Sequence, residues 1–243
     1  MDGSTGPEFA DMLFSSPQSS EMKARFANWR LVFPTLAHNH VPYDFTQVKG
    51  YLSSADPTLQ EKSAFNAFRE SIFHVGTIVK SEIEALHGKP QNVVLGGVGM
   101  GSATALWTLL AHHIRLGGLV GVNGWLPLLQ AIAKWTLEEI KQDFCLPLDD
   151  EAPLASVDYR DSDQHVWNTP IFLGHRGDEE MVRIEAGREA KHWLETKGFL
   201  VEWHEYQRGQ LSDHCLPDLK ELDDIMILLE CSTDVLDQGR ARL

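Results

Sequence analysis

The stretch Asn92-Val93-Val94-Leu95-Gly96-Gly97-Val98-Gly99-Met100-Gly101-Ser102-Ala103-Thr104-Ala105-Leu106 decides how the rest of this 243-residue chain is read. Apolar residues bounded by Pro90 and a glycine cluster read as a short buried strand. The small residues Gly101 to Ala105 then open a helix whose apolar positions continue through Leu106, Leu109 and Leu110. Gly97-Val98-Gly99-Met100-Gly101 keeps the spacing G-x-S-x-G, in which a strand turns sharply into a helix and lifts a serine to the tip. The outer glycines, Gly97 and Gly101, read as places where strand and helix approach too closely for a Cβ. The centre is Gly99, so the turn is legible and its nucleophile is not.

Outward from this stretch, the apolar periodicity over Leu59 to Leu86 predicts a helix that Gly88 and Pro90 end. Leu116 to Val122 reads as a second strand, with Asn123-Gly124-Trp125-Leu126-Pro127 as a turn and Leu128 to Phe144 as one helix. A polar stretch to Asn168 precedes a third strand at Pro170 to Leu173, whose exit loop is His175-Arg176-Gly177-Asp178-Glu179-Glu180. Ile184 to Lys197 reads as helix, Phe199 to Glu205 as strand, and Leu216 to Cys231 as the last helix. Earlier, Trp29 to Phe33 reads as a strand stopped by Pro34. Residues 1–24 read as irregular, with one or two helical turns at most around Phe9, Met12, Leu13 and Phe14, and residues 232–243 as a frayed tail. Alternating strands and helices predict a single α/β domain over 1–243: a mostly parallel central sheet with helices on both faces. Ligands of such sheets gather at the carboxyl ends of the strands.

Composition narrows the function. A net charge of −14 argues against nucleic acid or an anionic membrane as partner. No apolar run approaches the roughly 20 residues that span a bilayer, and the polar, Gly-rich start does not read as a secretory signal. Cys145, Cys215 and Cys231 lack metal-site spacing, which points to a reducing, cytoplasmic setting. His38 and His40 stand two apart without an evident third ligand, so neither a metal nor another cofactor is expected. Gly97-Val98-Gly99 also begins a dinucleotide G-x-G, but the sixth position is Ser102 and no acid follows the next strand, which removes that reading.

Several segments together resemble the acyl-protein thioesterase/carboxylesterase family of small α/β hydrolases, especially its fungal members. Val93 to Gly101 is similar to that family's LGG-x-S-Q-G turn, and Leu119 to Pro127 to its S-x-W-L-P strand end. Thr169-Pro170-Ile171-Phe172-Leu173-Gly174-His175 with Val182 resembles its TP-(V/I)-xx-x-HG-xx-D-xx-V segment. Tyr206 to Asp224 resembles the loop and helix carrying the catalytic histidine, and Trp29 to Pro34 an early strand. The resemblance implies an α/β-hydrolase fold and hydrolysis of a thioester or carboxylic ester, either a small acyl compound or an acylated protein. It places the nucleophile position on Gly99, the acid on Glu179, the base on His214, and one oxyanion donor on the Met100 amide. Trp125 and Leu126, with Met100, are the candidates for an acyl pocket. Trp203 could join them but also reads as core.

The departures matter as much. Met100 stands where the family has Gln, Glu179 where it has Asp, Arg176 where glycine follows the histidine, and Val48-Lys49-Gly50 where it has W-F-D. Gly3-Ser4-Thr5-Gly6-Pro7-Glu8-Phe9 resembles the continuation of its H-G-x-G-x-T-G loop, without the strand and His-Gly that lead into it. The resemblance sets that strand between Leu31–Phe33 and Val93–Leu95. Its omission would bare backbone groups costing about 1–3 kcal/mol each, against a domain stability of roughly 5–15 kcal/mol. A compensation is therefore expected: direct pairing of the flanking strands, another chain in the gap (a homo-oligomer among the possibilities), or a shortened sequence. Two function classes follow. One is a degenerate hydrolase that binds an acyl ligand or protein partner. The other is a working or repurposed enzyme, including acid/base lyase or cyclase chemistry by His214 and Glu179. Against these, His214 also reads as a solvated loop residue and Glu179 as part of a solvated acidic run. Ser102 reads as a helix hydroxyl bonded to backbone before it reads as a substitute nucleophile. His112-His113 reads as a pair stabilised at a helix end.

Overall fold

The computed structural model describes residues 5–16, 19–35, 58–133, 136–137, 139–140, 165–177, 179, 182–206, 220 and 222–229. Four strands, β1 (Val94–Val98), β2 (Gly118–Val122), β3 (Ile171–Arg176) and β4 (Val201–Tyr206), form one sheet in the order β1-β2-β3-β4. All three pairings are parallel, with Val94 opposite Gly118, Leu119 opposite Ile171, and Ile171 opposite Val201. The connections from β1 to β2 and from β3 to β4 each contain a helix, as parallel crossovers commonly do. A parallel sheet with helices packed on it is the α/β architecture expected from the sequence.

Alternate residues of each strand feed two apolar layers. Leu95, Leu119, Ile171, Leu173, Val201 and Trp203 meet α3 (Leu59–Ala85), α4 (Met100–His112) and α6 (Ile184–Thr196), with Trp107 and Phe68 buried edge to face between α4 and α3. Val94, Val98, Val120, Val122, Phe172 and Tyr206 meet α1 (Gly6–Ser15), α2 (Ser19–Arg25) and the helical segment 222–229. Helices thus cover both faces, as the strand–helix alternation implies.

Three expectations need correcting. Residues 6–15 and 19–25 are helical rather than irregular. A capping box starts α1: the Glu8 amide donates to Thr5 Oγ1 at 3.3 Å, and the Thr5 amide to Glu8 Oε2 at 2.7 Å. The helix is short, so its apolar spacing is brief, and burial of Leu13 and Met22 on the sheet does the rest. Trp29 to Phe33 joins no ladder. The run and the residues after it serve α1 instead: the Thr35 side-chain Oγ1 accepts from the Gly6 amide at 2.8 Å, and Phe33 packs on Phe9 and Phe14. Finally, no single helix runs from Leu128 to Phe144. Helix α5 covers only Leu129–Ile132, and a new turn starts at Thr136, whose amide and side chain exchange hydrogen bonds with Glu139. The tail 232–243 lies outside the described residues.

His112 is the last residue of α4. It turns inward between α4 and α3, and its ring occupies the space a side chain at Gly76 would need. Burial first, and the nearby Lys80 charge second, hold its imidazole down at about 4 from an ordinary 6.5. A folded-state pKa below the unfolded one means that the stability is complete above pH 6.5 and drains away as pH falls toward 4. Denaturant titrations should show the chain losing roughly 1–3 kcal/mol more than its His112→Gln variant across that window. Identical slopes for the two proteins would refute the assignment.

Candidate active site

The turn between β1 and α4 is built as the sequence pattern requires. Gly99 lies at φ 54° and ψ −114°, a conformation that L side chains rarely adopt, and it precedes the first residue of α4. Its amide donates to the Val122 carbonyl at 2.8 Å, which ties the tip to the end of β2. A Cβ built on Gly99 would meet no atom within 4 Å, so this position faces open space. A Cβ on Gly97 would instead overlap the Gly101 carbonyl and the Ser102 amide. There the missing side chain is a steric necessity. At Gly101 it is not, because a Cβ there would also point into open space.

Met100 opens α4, so its amide has no carbonyl one turn earlier in the helix to bond and stays available as a donor beside the tip. Ser102 is 0% exposed, and its hydroxyl has no hydrogen-bond partner. It sits against the Cα atoms of Gly121 and Gly124, at either of which a Cβ would strike it. The expected bond to a helix carbonyl is absent, and burial leaves no path for Ser102 to reach a substrate.

Two strands away, about 10 Å at ordinary strand spacing, β3 ends in Arg176 and the chain turns to Glu179. The half-buried Glu179 donates its amide to the Arg176 carbonyl at 3.3 Å. Asn123, whose role the sequence reading did not foresee, links the strand ends between these points. It lies at φ 48°, its amide donates to the Gly174 carbonyl at 2.8 Å, and its Oδ1 accepts from the Arg176 amide at 2.9 Å. The Asn-Gly pair was the available signal, since asparagine tolerates a positive φ. His175 is buried beneath this loop, and its Nε2–H donates to the Val182 carbonyl at 2.8 Å. Burial pushes the imidazole below its ordinary range. It braces the loop as a neutral ring.

The other candidates separate. Trp125 is partly open, whereas Leu126 is 4% exposed and packs in the core under α4. Trp203 packs on the same core and donates to Glu205, which the Arg188 guanidinium and then that indole hold at about 2. His214 and the pair His38 and His40 lie outside the described residues. The flanks of the His214 segment do meet: Tyr206 donates its hydroxyl to Asp224 at 2.8 Å. Among the described residues no cluster of His, Cys, Asp or Glu could hold a metal, and no helix is long and apolar enough to cross a membrane.

The order of elements at this end of the sheet, strand-to-helix glycine turn first and acid-bearing loop two strands later, is that of a serine-hydrolase site. A family model described as phospholipase/carboxylesterase matches residues 17–145, just over half of the 243. The chain belongs to the phospholipase/carboxylesterase family. Acyl-protein thioesterase 1 of Yarrowia lipolytica is 28% identical over 166 residues, covering 66% of this chain and 58% of that protein. Carboxylesterase SOBER1 of Arabidopsis thaliana is 28% identical over 137 residues, covering 56% of this chain and 48% of that protein. The chain therefore spans about half the length of these curated relatives. The crystal structure of Arabidopsis SOBER1 superposes with a TM-score of 0.59 at 23% identity, covering 95% of this chain and 94% of that one, and so shares the fold.

The two outer glycines of this family's turn thus have different physical grounds here, and stability measurements separate them. Gly97→Ala should lose more than about 2 kcal/mol, because the overlap is with backbone that cannot step aside. Gly101→Ala, in open space on a helix, should be neutral or stabilising by up to about 1 kcal/mol. Equal costs at both positions would contradict the geometry.

Proposed function

We propose that this chain is a thioesterase- or carboxylesterase-type acyl-binding protein that does not hydrolyse its ligand through a serine. On this reading, one domain spanning 1–243 holds a small acyl ester or thioester, or an acylated protein, at the carboxyl ends of β1 to β3. The names of the relatives, acyl-protein thioesterase and carboxylesterase, support that ligand class. A cytoplasmic setting accords with the unpaired-thiol reading of the three cysteines. The observation that carries the proposal is Gly99: strained turn, open space in front of it, and no side chain to attack a carbonyl.

The remaining parts have definite roles in this reading. The Met100 amide would donate to the oxygen of the bound acyl carbonyl. Trp125 would border the acyl chain. His214, oriented by Glu179, would supply the base that a nucleophile needs, and without one it has no proton to take. In sites of this kind removal of the serine costs about 10⁶ in turnover, leaving ~10³–10⁴ over water from oxyanion donors and binding.

Restoring the serine tests this directly. Hydrolysis of a short-chain p-nitrophenyl ester should be near background for the parent chain. Gly99→Ser should raise it at least about a hundredfold, a fraction of what a serine contributes in such sites, and should acquire labelling by a serine-directed phosphonate. Comparable hydrolysis by the parent chain would overturn the proposal, as would silence of a correctly folded Gly99→Ser protein.

Ser102→Ala provides the control. Deleting an unpaired buried hydroxyl should leave activity unchanged and stability equal or higher by about 1 kcal/mol. A loss of activity in that variant would make Ser102 the nucleophile instead.

A further inference from the structure

The loop that carries Glu179 is held on both sides of that residue. Before it, Asn123 Oδ1 accepts from the Arg176 amide at 2.9 Å. After it, the His175 ring donates to the Val182 carbonyl at 2.8 Å, a bond that closes a span of seven residues. Glu179 itself adds one long bond, 3.3 Å, from its amide to the Arg176 carbonyl. Its place is therefore set mainly by the anchors to either side.

The second anchor is more than packing requires. Because Nε2 meets a carbonyl, it carries the ring proton and Nδ1 is a bare acceptor. His175 is 0% exposed, and its buried Nδ1 has no hydrogen-bond partner. A desolvated, unpaired acceptor subtracts from stability. The bond to Val182 is half-buried, so water can take the ring's place on that carbonyl. A leucine of similar volume would fill the core without an orphaned nitrogen. What the imidazole alone supplies is a fixed position for the Val182 carbonyl.

The fold also reserves a seat for the ring. Gly187 of α6 leaves the room: a Cβ there would lie 2.7 Å from His175 Nδ1 and 2.8 Å from the Trp203 ring. Trp203 of β4 stacks on the imidazole, with centroids 6.0 Å apart and planes at 29°. Its indole N–H donates to Glu205 at 2.9 Å, and the Arg188 guanidinium donates to the same carboxylate at 2.8 Å. We propose that His175 is a positioning residue for the acid: seated by Gly187 and Trp203, it fixes the Val182 end of the loop and with it the place of the Glu179 carboxylate. This role rests on the reading above, in which Glu179 orients His214.

Hydrogen exchange on the full parent chain tests the seating without any activity. His175→Leu should speed exchange of the peptide 177–183 by about tenfold or more, while the thermal midpoint stays level or rises. His175→Gln, whose amide nitrogen reaches the place of Nε2, should stay within about threefold of the parent. Gly187→Ala keeps the imidazole but crowds its seat, and should open the same peptide. Catalysis is read in the Gly99→Ser background. There His175→Leu should lower kcat by about tenfold or more at unchanged KM, the order of effect expected when a catalytic group is misplaced. His175→Gln should restore it. Added to Glu179→Gln, His175→Leu should cost nothing further, since its effect runs through the acid. A full further loss there would overturn the proposal. So would a lowered midpoint without faster exchange, or failure of His175→Gln to rescue either readout. Silence of Gly99→Ser would strike the reading of the site instead, and the exchange measurements would then decide the role of His175 by themselves.

Discussion

The close approach of β1 to α4 at Gly97 is the constraint on which the site depends. Because backbone meets backbone there, the chain must leave the strand and enter the helix within one residue, and that residue is forced to the positive φ seen at Gly99. The Gly99 amide then fixes the tip to β2, and Asn123 carries the same alignment from β2 to β3. The carboxyl ends of three strands are thereby locked by backbone amides and one asparagine side chain. No part of this frame consults a side chain at position 99, in front of which the space is open.

Much of this is legible in the sequence. The strands and long helices are marked by apolar runs and by Gly or Pro stops, which local chemistry decides. The G-x-x-x-G spacing around Gly99 is decisive because both the steric need at Gly97 and the strained turn are properties of the backbone. What escapes a sequence reading is settled by partners far along the chain. The helices at 6–15 and 19–25 draw stability from a sheet surface that their own few apolar residues cannot announce. Trp29 to Phe33 has strand composition but no strand beside it among the described residues. His112 at the end of a helix gives no sign that Gly76, on another helix, leaves it a pocket. Asn123 and Ser102 mislead in opposite ways. Asn123 has the chemistry of a mere turn and proves to align two strands, whereas Ser102 carries a hydroxyl that the fold seals in.

Charge differs across the sheet. The acidic groups of β4 are tied into pairs, Arg188 with Glu205 and His204 with Glu202 and Asp224, so the strand's exposed side is solvated and closed to further pairing. The site end of the sheet carries Glu179 and the neutral His175 beneath it. β1 is left uncharged.

Residues far apart in the chain share one layer. Arg25 of α2 pairs with Asp223, while Leu13 and Met22 pack in the same cluster as Leu222, Ile225 and Met226. These partners are about 200 residues apart, so this face of the sheet cannot close until the helical segment 222–229 has left the ribosome. Until then the greasy sides of α1 and α2, made earlier, must wait uncovered. Such long-range closure slows folding and lengthens exposure to aggregation. The order of synthesis, rather than the finished fold, sets when this protein is most vulnerable.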